Sequence, residues 1–156
     1  MSLGEEQSCE IPLNELPEEE VQAIIKRMKS IAIVGISDKP DRPSYGVARY
    51  LQYKGFKIIP VNPSIKEVLG EKAYPDLRSI PKELYPIEVV DIFRKPETVP
   101  EIVKAAIAIG AKVIWMQEGV VNNKAADEAR AAGLKVIMNR CIKKTYSAFL
   151  LKKEKK

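Results

Sequence analysis

The hydrophobic pattern of this chain changes period several times, and each change marks an element. Ile31-Ala-Ile-Val-Gly35 is apolar at every position up to its glycine, as a central parallel strand covered on both faces would be. Phe56-Lys-Ile-Ile-Pro-Val61, Glu88-Val-Val-Asp-Ile-Phe93, Lys112-Val-Ile-Trp-Met116 and Leu134-Lys-Val-Ile-Met138 are further short runs that read as strands. Between them the period lengthens to that of a helix. Val47, Ala48 and Leu51 share one face of a segment that opens at Ser44 and stops at Gly55. Ile102, Val103, Ala106 and Ile109 do the same for Thr98–Ile109, and Asn122–Ala132 is alanine-rich and stopped by Gly133. Ahead of the first strand, Pro17-Glu-Glu-Glu20 reads as a helix start, with Val21, Ile24, Ile25 and Met28 following at helical spacing. A last helix from about Cys141 turns Ile142, Tyr146 and Phe149 inward. Residues 64–87 are the least regular: Lys66-Glu-Val68 suggests a short edge strand, Asp76–Ile80 one helical turn, and Pro75, Pro81 and Pro86, with Pro63 just before, punctuate the stretch.

Strands alternating with helices of about three turns predict an α/β fold. Right-handed crossovers make it a doubly wound, mainly parallel sheet with helices on both faces, in three layers. An eight-unit barrel needs more chain than 156 residues. The expected organisation is a loose acidic arm over 1–16, one domain over 17–151 and a Lys-rich tail over 152–156. In such a sheet, ligands bind beyond the carboxyl ends of the strands, near the point where strand order reverses. Those ends supply Gly35-Ile36-Ser37, Asn62-Pro63, Phe93-Arg94-Lys95, Gln117-Glu118-Gly119 and Asn139-Arg140-Cys141. The first of them, a strand, a turn and a helix N-terminus at Ser44, is a ready phosphate site.

Charge sharpens this picture. The net charge of +5 is uneven: residues 1–20 hold seven Glu and no base, and residues 143–156 hold six Lys and one Glu, which leaves the body moderately basic. A basic body suits an anionic ligand. The Lys-rich end reads as a solvated helix terminus, and no Arg-rich run interleaves with aromatics, which argues against nucleic acid. No stretch approaches the roughly 20 apolar residues of a membrane span. The acidic start, where a secretory leader would be basic, suggests a cytoplasmic protein. Cys9 and Cys141 are too few and too far apart for a disulfide framework. The absence of histidine removes His general-base catalysis, Ser-His-Asp triads, His-ligated metal and phosphohistidine chemistry together.

The dinucleotide fingerprint is missing. Gly35-Ile-Ser-Asp-Lys-Pro stands where G-x-G-x-x-G would, and Asn62 replaces the acidic residue that grips the ribose of NAD. Lys39, Arg42, Arg94 and Lys95 are instead placed to meet several phosphates. A small NADP-type oxidoreductase using the same crevice is the rival enzyme reading. A protein-interaction module with a vestigial pocket is the third.

Six motifs occur in order: Val34-Gly-Ile-Ser37 with Lys39-Pro-Asp-Arg-Pro-Ser-Tyr45; Pro60-Val-Asn-Pro63; Val90-Asp-Ile-Phe-Arg94; Trp115-Met-Gln-Glu-Gly-Val120; and Asn139-Arg-Cys141. Together, over roughly residues 21–147, they resemble the stand-alone CoA-binding domain proteins of bacteria and archaea. That family is similar to the N-terminal Rossmann-like domain of the succinyl-CoA synthetase alpha subunit. The resemblance implies binding of coenzyme A, or an acyl-CoA, as carrier, sensor or detached subunit of an acyl-CoA enzyme. Gly35, Ile36 and Ser37, with the helix start at Ser44 and Tyr45, would hold phosphates; Lys39 and Arg42 would meet the 3′-phosphate or the pyrophosphate. Val61, Asn62 and Pro63 would line the adenosine side, with Phe93, Arg94 and Lys95 beside them. Gln117, Glu118, Gly119 and Val120 would flank the pantetheine arm. The synthetase relatives carry an active-site histidine and a second domain, which this chain lacks, so ligase activity is not implied.

Plainer readings stand beside these. Gly35 serves any strand-ending turn, and Ser37 any turn that satisfies its own backbone. Lys39 and Arg42 suit a solvated loop, Ser44 is an ordinary N-cap, Arg94 has Glu97 as a possible ion partner, and Trp115 reads as core. Glu118 could be solvated. Cys141 is either a small buried hydrophobe or a thiol at a helix N-terminus, near enough to the CoA sulfur for a mixed disulfide. Mass spectrometry without reductant separates the two.

Overall fold

β1, Ser30–Val34, lies within a five-stranded sheet, and its five side chains are all buried. The computed structural model describes residues 10–154, without the side chain of Glu154. Cys9 and most of the acidic arm lie outside that range. The sheet also contains β2 (Lys57–Val61), β5 (Val89–Ile92), β6 (Val113–Met116) and β7 (Lys135–Ile137). Its order is β2-β1-β5-β6-β7, and every neighbouring pair is parallel. β3 (Glu67–Val68) and β4 (Glu71–Lys72) form a separate small antiparallel hairpin, so the expected edge strand at Lys66–Val68 does not join the main sheet.

The helices are α1 (Glu18–Arg27), α2 (Pro43–Tyr53), α3 (Val99–Ala108), α4 (Asn123–Ala131) and α5 (Ile142–Glu154). Side chains alternate across each strand, and the two sets bury different cores. Ala32, Val34, Ile59, Val61, Val90, Ile92, Ile114 and Met116 face α3 and α4. Ile31, Ile33, Ile58, Val89, Val113 and Trp115 face α1, α2 and α5. The fold is therefore the expected three-layer, doubly wound α/β sheet. Trp115 is core, fully buried, with its Nε1 donating to the Arg140 carbonyl at 2.9 Å.

The crossover helices close in one way. Gly55 has φ of +97°, its N–H bonds to the Gln52 carbonyl, and Phe56 N–H reaches Leu51. The same two-bond closure recurs at Gly110 and Gly133. The chain then re-enters the sheet at once.

Strand order reverses between β1 and β5. From β1 the chain runs outward to β2, then returns to place β5 on β1's other side. The crevice beyond that pair is the ligand position of this topology.

Two further expectations need correction. Residues 10–14 are docked rather than loose: Glu10 Oε1 accepts from Asn123 N–H at 2.7 Å and Nδ2 at 2.8 Å, and Leu13 N–H donates to Asn123 Oδ1 at 2.8 Å. Ser44 is not the cap of α2. Arg42 is, in extended conformation before Pro43, because a residue preceding proline is pushed out of the helical region and proline suits the first helical position.

Candidate functional site at the strand ends

Three hollows meet at the β1–β5 crevice. A bowl of about 340 Å³ is lined by Gly35, Ser37, Lys39, Arg42, Pro43, Ser44 and Phe93. A groove of about 520 Å³ runs from Pro43 and Val47 past Phe93, Arg94 and Lys95 to the Gln117–Val120 loop and Cys141. On the α3 side lies a cavity of about 380 Å³, bounded by Val34, Val61, Pro63, Leu77, Arg78 and Arg94 among others. Phe93 is shared by bowl and groove, Arg94 by groove and cavity. The hollows thus form one chain across the sheet end.

The bowl is built by the β1–α2 loop. Ser44 is buried and its Oγ accepts the Ser37 N–H at 2.9 Å, while Ser37 Oγ accepts the Lys39 N–H at 3.0 Å. These bonds set the loop's curvature. The Arg42 side chain does not cap α2 and no carboxylate lies in its first turn. Pro43 has no N–H and those of Tyr45 and Gly46 return to the Arg42 carbonyl, so the Ser44 N–H and the helix dipole are what this end offers the bowl. Lys39 and Arg42 stand exposed at the rim, and neither has an ion pair among the described residues.

Gly35 is demanded by the fold itself. Its φ is +89°, and a Cβ there would lie 2.5 Å from the Phe93 carbonyl oxygen and 2.8 Å from Arg94 Cδ. The stem of Arg94 therefore crosses directly over the glycine, bridging β1 and β5. The expected partnership of Arg94 with Glu97 is not formed, and Arg94 has no ion pair among the described residues.

Other expected residues turn their side chains to the scaffold. Asn62 Nδ2 donates to the Ile36 carbonyl and its Oδ1 accepts from Ser64 N–H, both at 2.8 Å, tying the ends of β1 and β2 together. The side chains of Ile36 and Tyr45 pack into or against the core, leaving their backbone as what a ligand would meet. Gln117 is buried, its Oε1 accepting the Ile142 N–H at 3.1 Å at the start of α5. Gly119 N–H donates to Asn139 Oδ1 at 2.8 Å, which shapes the groove's loop. Glu118 pairs with Lys144 at 3.1 Å, so the solvated-carboxylate reading gains a partner. Cys141 is free and buried, with one side on the groove.

Sequence reasoning missed Arg78, Thr98, Glu101 and Ile102 in the third cavity, and Val47 in the groove. Arg78 sits in a proline-punctuated stretch with no period to read. Val47 and Ile102 look like any core residue of an amphipathic helix. Among the described residues no cluster of three metal-ligating side chains occurs, and no helix is long and apolar enough to cross a membrane.

Comparison with known proteins shows the family. The family model described as a CoA binding domain matches residues 29–147. YneT of Bacillus subtilis is 43% identical over 124 residues, spanning 80% of this chain and 90% of that protein. The ADP-forming acetate–CoA ligase II of Archaeoglobus fulgidus is 33% identical over 86 residues, 54% of this chain but 12% of the ligase. Among solved structures, a hypothetical protein from Pyrococcus horikoshii OT3 superimposes with a TM-score of 0.83 at 42% identity, covering 90% of this chain and 97% of that one. A version of the PH1109 protein redesigned for binding gives 0.84 at 41% identity, covering 89% and 96%. The family match thus takes in β1 and the residues that line the bowl, the groove and the cavity: the chain belongs to the CoA-binding domain family and is similar to part of the acetate–CoA ligases.

Proposed function

We propose that the chain binds coenzyme A or an acyl-CoA along the three hollows, without chemistry of its own. The observation that carries this is that three hollows adjoin at Phe93, Arg94 and the Gly35 turn, so that one extended ligand can reach all of them. Adenosine suits the apolar-floored cavity against Val61 and Pro63. The diphosphate suits the Gly35 crossing, beside the first turn of α2 and within reach of Lys39, Arg42, Arg94 and Lys95. The pantetheine arm suits the groove of Pro43, Val47, Phe93 and the Gln117–Val120 loop, which ends at Cys141. A carrier, sensor or detached subunit of an acyl-CoA enzyme would each use such a site.

Family membership supports the ligand, and the charge layout supports its orientation. Lys39→Ala with Arg42→Ala tests it. CoA affinity measured by calorimetry should fall about tenfold or more and become less salt-sensitive, because two charge-assisted contacts are lost from a solvated rim. The melting temperature should not move, since both side chains are exposed and neither has an ion pair among the described residues. Unchanged affinity would remove the diphosphate from the bowl.

A further inference from the structure

The cations around the crevice fall into two groups on opposite sides of Gly35. Lys39 and Arg42 belong to the bowl and Lys95 to the groove, whereas Arg78 belongs to the cavity on the α3 side. Arg94 crosses between them. CoA carries its phosphate in the same division: a diphosphate on the way to the pantetheine arm, and a phosphomonoester on the ribose that bears the adenine.

Arg78 is held ready for such a group. It is the middle residue of a 3-10 turn, Leu77–Ser79, that is fixed at both ends. Asp76 Oδ1 accepts from the Ser79 N–H and from its Oγ, each at 2.9 Å, and Leu77 is anchored in the core. The Arg78 side chain is exposed along the cavity wall and has no ion pair among the described residues. Two carboxylates share the wall. Asp76 is engaged with Ser79, and Glu101 lies 3.7 Å from Lys104 on the outer face of α3. The floor of Val34, Val61, Leu77, Ile102 and Ala105, between Pro63 and Pro75, is apolar and suits a purine ring. A phosphate on the ribose of a base seated there meets the cavity rim, not the bowl.

We propose that Arg78 is the specificity-determining residue for the ribose 3′-phosphate, so that the chain selects CoA over 3′-dephospho-CoA. This rests on the CoA reading above and assigns the 3′-phosphate to a side chain on the far side of Gly35 from Lys39 and Arg42. A guanidinium offers a phosphomonoester two parallel N–H donors, which an ammonium does not.

The test is calorimetric titration of the full chain with CoA and with 3′-dephospho-CoA, for the parent protein, Arg78→Ala, Arg78→Lys and Arg94→Ala. The parent should bind CoA about tenfold or more the tighter. Arg78→Ala should lower CoA affinity to that of the dephospho ligand while leaving the latter within about twofold, and Arg78→Lys should fall between. Arg94→Ala should weaken both ligands alike, since both keep the diphosphate. Equal binding of the two ligands by the parent, or an equal loss for both in Arg78→Ala, overturns the assignment while leaving CoA binding intact. Binding of neither ligand by the parent overturns the CoA reading and this assignment with it.

Discussion

Asp91 stands in the middle of the sheet, buried from water, and neither carboxylate oxygen has a hydrogen-bond partner among the described residues. Its neighbours in register are Ile33 on β1 and Trp115 on β6. Burial pushes its pKa well above the ordinary carboxylate value, so the folded chain keeps it neutral where the unfolded chain has it ionised. The sign follows directly. Below the ordinary pKa both states hold the proton and Asp91 costs nothing by ionisation; as pH rises toward the folded value, the unfolded state alone gives the proton up and stability falls. Asp91→Asn removes that linkage. Its melting temperature should match the parent at pH 3 and exceed it at pH 7, by about 3 °C for each kcal/mol recovered in a chain of this size. A gain independent of pH would show that ionisation plays no part. The pattern Val90-Asp-Ile-Phe-Arg94 announced a buried strand, but an aspartate facing the core could not be told from one facing a polar neighbour. Gly35 was legible as a turn glycine; that Arg94 lies across it was not, because that contact joins residues 59 apart in sequence.

At the scale of elements, the strands and crossover helices were readable because each carries its own period and its own stop. The closures at Gly55, Gly110 and Gly133 are local chemistry, and so were visible. Residues 64–87 were not, since two-residue strands and three-residue turns have no period, and their geometry comes from what they pack on. The strap formed by residues 10–14, the described end of the acidic arm, was missed for a related reason. Its anchor is Asn123, more than a hundred residues away, which takes part in four bonds with Glu10, Ile11 and Leu13. Arg130 adds contacts to the carbonyls of Leu13 and Asn14 at 3.2 Å. Asn123→Ala should therefore cost about 1–2 kcal/mol, read as a lower denaturation midpoint, and should speed proteolytic cleavage within residues 10–16. Cleavage at the parent rate would mean that the strap is held elsewhere. Glu18, at the start of α1, is tied down separately: the hydrogen bond from Arg140 holds its carboxyl below the ordinary value.

For the whole molecule, the alternation of strands and helices fixed the layers in advance, but not the order β2-β1-β5-β6-β7. Order depends on which edge each new strand joins, and the hydrophobic runs of β5, β6 and β7 are too alike to say. The order matters because it puts the reversal between β1 and β5, and so lays Arg94 across Gly35 beside a bowl, a groove and a cavity. Without it, the strand-end residues are a set of loops; with it, they line three adjoining hollows with cations at two separate stations. We propose that CoA occupies these hollows together. Isothermal titration of the purified chain with CoA, NADP and ATP under identical salt tests it most directly. Saturable binding of CoA at one ligand per chain, tighter than either nucleotide, is the expected result. Tighter binding of NADP, or no heat with any of the three, would contradict it.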